Sequence, residues 1–130
     1  MDLPPRALEL LRAPSPCFLS TVMPDGSPQV TEVWVDTDGT HVIINTVQGH
    51  QKERNIRRDP RVAVAVADRE DPTSYVQLRG SVIEATTEGG VESIEAMSQK
   101  YLGKPYSWYG GRDQVRVILK IAVARVSGIR

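Results

Sequence analysis

The sequence predicts a small antiparallel β-barrel with helices only at its edges, and three features lead there. Short runs rich in valine, isoleucine and threonine recur along its 130 residues. Two of the turns between them carry Asp-Gly, at Asp25-Gly26 and Asp38-Gly39, a strong hairpin signal. Helical patterns are short and fall at the margins of that series. Six strands, mostly hairpin-linked, are expected in one domain spanning residues 1–130.

The elements follow in order. "LPPRALELLRAP" reads as a short helix: Pro4 and Pro5 suit its first turn, Leu3, Leu8 and Leu11 share a face, and Pro14 stops it. "CFLSTV" is a strand leading into the "MPDGSP" turn. In "QVTEVWVD", Val30 and Trp34 face one way and Thr31, Val33 and Val35 the other. "HVIINTV" is the third strand, so the first half is a meander. "HQKERNIRRD" is a short helix that ends before Pro60, because a residue preceding proline disfavours the helical region. "RVAVAVA" and "YVQLRGSVIEAT" are strands, the second with Gly80 as a bulge or bend. A helix runs from about Val91 with Ile94, Met97 and Tyr101 on one side. After the aromatic loop "KPYSWYGGRDQ", the chain closes with a long strand over 115–129. Val115, Val117, Leu119, Ile121 and Val123 lie on one face of it.

Sixteen basic residues balance sixteen acidic ones, so no global field favours nucleic acid or an anionic membrane. Any anion site must be local. Cys17 is the sole cysteine, which excludes an intramolecular disulfide and a cysteine metal cluster; it packs as a small hydrophobe. His41 and His50 stand at no metal-ligand spacing and in no nucleophile context. The opening residues lack the apolar region of a signal peptide, and no run reaches transmembrane length, so a cytoplasmic location is expected.

One stretch breaks the general balance. Lys52, Arg54, Arg57, Arg58 and Arg61 crowd the joint between two strands. Charge alone suits a solvated helix in which Glu53 and Arg57, four apart, pair for about 0.3–0.5 kcal/mol. Position argues otherwise. His50 and Lys52 fall in the first turn, where the helix dipole disfavours cations and attracts anions. Gly49 lets a ligand approach the backbone, and Thr46 offers a hydroxyl at the preceding strand end. Thr46, His50, Gln51 and Lys52 therefore form a candidate phosphate-binding corner.

Three segments together resemble a known group: "STVMPDGSPQVTEVWV", "GHQKERNIRRDPRVAVAV" and "SYVQLRGSVIEA". In order and spacing they resemble the pyridoxamine 5'-phosphate oxidase-like split-barrel flavoproteins. Among these, the chain is similar to the deazaflavin (coenzyme F420)-dependent oxidoreductases of actinobacteria. The likeness runs from about Cys17 to Gly128. It implies a homodimeric split β-barrel binding a flavin or deazaflavin in a groove at the subunit interface. It also implies that Lys52, Gln51, His50 and Thr46 hold the cofactor phosphate, while Pro28, Gln29 and Val30 lie beside the tricyclic ring. Many relatives carry arginine where this chain has His50, which removes one fixed charge and introduces a group that titrates near neutrality.

Further candidates surround that groove. Trp108 and Tyr109 could wall a substrate pocket, equally as loop anchors, from the same chain or from the partner subunit. Arg112 and Arg116 could meet an anionic cofactor tail, although strand alternation alone turns Arg116 outward. Tyr75 and Gln77 could line the groove, or Tyr75 could be core. Trp34 suits the core or the dimer interface. Arg54, Arg57, Arg58 and Arg112 offer spare charge for the long anionic tail of F420. The expected activity is hydride transfer from reduced deazaflavin to an unsaturated small organic substrate, with no obligatory side-chain proton donor. The alternatives are an FMN-dependent oxidase and a non-catalytic cofactor carrier.

Overall fold

The computed structural model describes residues 1–128 of the chain; Ile129, the last residue of the expected final strand, lies outside the described residues. Helix α1 (Pro5–Arg12) is followed by strands β1 (Cys17–Val22), β2 (Pro28–Val33), β3 (Val35–Thr37) and β4 (Val42–Val47). Helix α2 (Gln51–Arg58), strands β5 (Arg61–Ala67) and β6 (Tyr75–Thr86), helix α3 (Gly90–Leu102) and strand β7 (Arg116–Ser127) complete it. All strand pairs are antiparallel, in a seven-stranded sheet ordered β2-β1-β5-β6-β7-β4-β3. The sheet curls as a half-barrel around its core.

Seven strands replace the expected six because "QVTEVWVD" is two strands, broken at Trp34. The break has a topological cause. β2 pairs with β1 at one edge of the sheet, and β3 pairs with β4 at the other. A single stretch of chain thus supplies both edges, and it must swing between them at Trp34. Val33 and Val35 are both buried, so the core is continuous across the joint.

A swing of this kind leaves backbone groups to satisfy, and the end of α3 satisfies them. Val35 donates its N–H to the Tyr101 hydroxyl at 3.1 Å, and Tyr101 donates onward to the Ser15 carbonyl at 2.8 Å. The Lys100 ammonium donates to the Val35 carbonyl and, at 2.9 Å, to that of Leu11. Trp34 stacks on Tyr101 with ring centroids 5.3 Å apart. Tyr101, expected for the apolar side of its helix, is therefore also a polar clamp.

The core draws on β1 (Cys17, Leu19), β4 (Val42, Ile44), β5 (Val62, Val64, Val66) and β7 (Val117, Leu119, Ile121, Val123), closed below by Leu3, Ala7, Leu10 and Leu11. Leu10, rather than Leu8, completes the buried face of α1. Val115 lies just before β7 and is exposed, so the final strand begins one residue later than its alternation suggests. Gly80 is the expected irregularity: the β6–β7 register shifts at Arg79/Gly80, and a Cβ there would stand 1.9 Å from the Ala122 oxygen. Cys17 is fully buried, and burial pushes its thiol up to about 12.

The clamp makes a definite demand on stability. Tyr101→Phe leaves the Val35 N–H and the Ser15 carbonyl without their partner, and stability should fall by about 1–3 kcal/mol in urea unfolding. An unchanged midpoint would show that the joint holds without it.

Candidate functional site

The corner begins where β4 ends. Gly49 takes φ +90° in the turn after Val47, a conformation that suits glycine, and His50 precedes the helix without its side chain capping it. That task falls to Glu53, which is buried. One of its carboxylate oxygens accepts the Gly49 N–H at 2.7 Å, and the other pairs with Arg57, as the four-residue spacing predicts. With Glu53 committed at both oxygens, no carboxylate is left for Lys52.

Lys52 is half-buried and forms no ion pair among the described residues. Burial is the main cause of its lowered pKa, and the charge of Arg116 adds to it. Arg116 is only 9% exposed, which corrects the outward placement that strand alternation suggests. Its alternation does hold; the face it points to is covered, because the N-terminus of α3 packs there so closely that a Cβ on Gly90 would stand 2.5 Å from the Arg116 carbonyl. Arg116 donates from Nε to Asn45 Oδ1 at 2.7 Å, and Asn45 in turn donates to the Gly90 carbonyl at 2.9 Å. The guanidinium lies over the Tyr106 ring at 5.4 Å. His50 is held below its ordinary pKa by burial, then by Lys52 and Arg116.

Three basic groups therefore sit within electrostatic range of one another, and none has an anionic partner among the described residues. The Thr46 hydroxyl adds a second deficit: its oxygen is buried and has no hydrogen-bond partner among the described residues. Thr46 continues the core face of Val42 and Ile44, while Arg116 pairs with Val47 on the α3 side. The two thus flank the strand end from opposite faces. A polar orphan beside uncompensated cations and a glycine turn fits a phosphate or other oxyanion.

The second wall comes from β2. Asn55, fully buried, reaches from α2 to Thr21 Oγ1 at 3.0 Å, Met23 Sδ at 3.3 Å and Gln29 Oε1 at 3.4 Å. Gln29 is thereby brought to the helix that carries Lys52. Pro28 and Thr21 line a shallow groove of about 360 Å³ with Gly26 and Arg61. Another of about 360 Å³ lies at Trp34 and Tyr101, the other end of β2, away from Lys52. Val30 is 65% exposed and, with Phe18, Ala63, Ala65 and Gln77, lines a depression on the outer sheet face.

Other expected residues separate. Tyr75 is exposed and pairs with Ala67, at the end of β5 remote from α2, so one chain does not bring it to the corner. Trp108, at φ +52°, and Tyr109 pack edge-on against Tyr106, which places their loop on the Arg116 side. Gln51 spends its amide along the helix, donating to Asn55 Oδ1 at 2.7 Å and accepting from Arg54. The arginines read as spare have local partners: Arg57 on Glu53, Arg58 on the Val22 carbonyl, Arg54 on the Gly49 carbonyl, and Arg112 over Trp108. The sequence pattern alone does not point to Asn45, Asn55, Thr21 or Tyr106 as parts of this corner. The signals were present for two of them: Asn45 interrupts the apolar run "VIINTV", and Asn55 lies three residues after Lys52. Among the described residues no group of three His, Cys, Asp or Glu could hold a metal ion, and no helix is long and apolar enough to cross a membrane.

A curled antiparallel half-barrel with this basic corner is the split barrel of one family. Residues 3–130 match the pyridoxamine 5'-phosphate oxidase family, and the chain belongs to it. A solved structure described as an F420 reductase is similar at 29% identity and TM-score 0.85, covering 97% of this chain and 99% of that one. A conserved hypothetical protein of Mycobacterium tuberculosis is similar at 25% identity and TM-score 0.69, covering 93% and 79%. The HupZ protein of Group A Streptococcus shares the fold at 21% identity and TM-score 0.68, covering 98% of both chains.

The electrostatics set a pH dependence. With the His50 pKa below 6.5 in the free protein, stability gained from keeping the ring neutral is present above that value and declines as pH falls. A bound oxyanion favours the protonated ring and reverses this. Sulfate, which does not titrate in this range, should bind more tightly at about pH 5.5 than at about pH 7.5, and His50→Gln should flatten the difference. Calorimetric titration checks it; an equal slope in both proteins would remove His50 from the site.

Proposed function

We propose that this protein is an F420-dependent oxidoreductase, working as a reductase that carries hydride from reduced deazaflavin to an unsaturated small organic substrate. The observation that carries the reading is the set of uncompensated groups at the β4–α2 corner: the Thr46 hydroxyl, Lys52, His50 and Arg116. Such a set is costly without an anion. The likeness to a protein described as an F420 reductase, over nearly the whole of both chains, supports the choice of cofactor.

In this reading Thr46, His50 and Lys52 hold the cofactor phosphate. Pro28, Gln29 and Val30 on the edge strand β2 lie along the ring, and Arg116 with the Trp108 loop borders the remaining side. The bound deazaflavin supplies the hydride chemistry; the chain supplies binding, orientation and exclusion of water. Because β2 is an edge strand, its outward backbone groups are open to a ring edge on the side without a neighbouring strand. Gln51 acts here through the helix, since its amide is already engaged. The exposed apolar face bearing Phe18, Val30 and Tyr75 is the surface on which a second copy would pack to form the homodimer, bringing the partner's Tyr75 end toward the groove.

Lys52→Ala should retain the fold and weaken F420 binding about ten- to a hundredfold, the worth of one charge-assisted contact. Affinity unchanged in a folded variant would return the basic stretch to a solvated helix. Titrating F420 and FMN at low and high salt ranks the cofactors; tighter FMN binding under both conditions would favour the oxidase alternative. Turnover of enones or quinones with reduced F420 separates an enzyme from a carrier. Val30→Glu should convert a dimer to a monomer in light scattering; a wild-type monomer at micromolar concentration would remove the interface groove.

A further inference from the structure

We infer that Arg54, Gln51, Asn55 and Thr21 form a one-way hydrogen-bond chain that leaves Gln29 able only to donate into the cleft, so that the ring bound there must offer an acceptor. The direction starts at Arg54. A guanidinium has donors and no acceptor, so the oxygen of the Gln51 amide must face it. Gln51 Nε2 is then the group that meets Asn55, and it donates to Asn55 Oδ1 at 2.7 Å. A second arginine agrees: Arg58 also approaches Asn55 Oδ1, at 3.4 Å.

With its oxygen fixed toward α2, Asn55 can only donate toward β1 and β2. Its Nδ2 faces Thr21 Oγ1 at 3.0 Å, Met23 Sδ at 3.3 Å and Gln29 Oε1 at 3.4 Å. Thr21, buried and already accepting, has one proton to give, and its partner is Gln29 Oε1 at 3.1 Å. Both bonds to the Gln29 side chain thus end on its oxygen. The Nε2 group has no hydrogen-bond partner among the described residues, and Gln29 is half-buried on the edge strand β2.

Side-chain amides can usually be turned over to suit a ligand. Here turning Gln51 or Asn55 sets donor against donor along the helix, turning Gln29 sets its Nε2 against Asn55 Nδ2 at 3.4 Å, and Arg54 has no acceptor to offer in exchange. The consequence is a rule of selection. A ring presenting a carbonyl oxygen or an unprotonated nitrogen to Gln29 gains a bond, whereas one presenting N–H meets a donor that cannot reverse. Asn55 is on this account a positioning residue that acts through Gln29. The identity of the ring rests on the cofactor reading above; the polarity of the chain does not.

Thr21→Val, close in shape, removes the link that fixes Gln29, and Thr21→Ser keeps it. Oxidised F420 and FMN should each bind Thr21→Val about three- to tenfold more weakly than wild type, with Thr21→Ser restored and sulfate affinity equal in all three. Unchanged ring affinity in folded Thr21→Val, or an equal loss for sulfate, overturns the inference. If neither chromophore binds wild type, the cofactor reading fails separately, and nitrogen-15 NMR of the ligand-free protein decides the chain. The Asn55 side-chain amide protons should exchange slowly and those of Gln29 rapidly with water. Protected Gln29 protons would overturn it.

Discussion

The fold depends on one short joint, Val33-Trp34-Val35, where a single run of chain leaves one edge of the sheet and joins the other. The sheet keeps two edges, β2 and β3, and this joint is what carries the chain directly from one to the other. The joint is possible because α3 returns to it: Lys100 and Tyr101 supply the donors and acceptors that a continuous strand partner would otherwise supply. The stacked Trp34 ring keeps those side chains in place. The same joint leaves β2 as an edge strand beside α2, and that opening is where the candidate site residues gather.

The site is an electrostatic exception in a chain of zero net charge. Elsewhere cations either pair close to home, as Arg6 does with Asp68 and Arg61 with Asp59, or stand exposed to solvent, as Arg79 and Arg125 do. At the β4–α2 corner the available carboxylate, Glu53, is spent on the Gly49 N–H and on Arg57, and it stands on the buried side of the helix. Lys52 and Arg116 are left to repel one another across a partly dry space, which an isolated protein would not be expected to retain for stability alone. The hydrogen bonds that surround them, through Asn45 and Asn55, make the corner stiff before any ligand arrives.

Much of this was legible in the sequence because it rests on local rules. The Asp-Gly turns, the glycine at position 80 and the Glu53–Arg57 spacing each act over a few residues, and each appears as expected. The break at Trp34 was not legible, since alternation runs through it unbroken and only the demand for closure interrupts it. Alternation misleads at Arg116 for a similar reason: it gives a side chain's face but not what later covers that face. Asn45 and Asn55 belong to the same class. A polar residue in an apolar pattern announces a partner, yet which partner depends on strands and helices far away in sequence.

Strand order also bears on how the corner comes into being. Residues Val42–Val47 pair with Arg116–Ile121, so Thr46 and Arg116 are brought to the same strand end only when the final strand is in place. During synthesis, the first four strands and α2 emerge with one side of β4 still bare, and no local hairpin can cover it. Non-local pairing of this kind slows folding and prolongs the life of exposed strand edges. The basic corner is thus among the last parts of this fold to mature, and a nascent chain would gain it only once β7 has emerged and paired with β4.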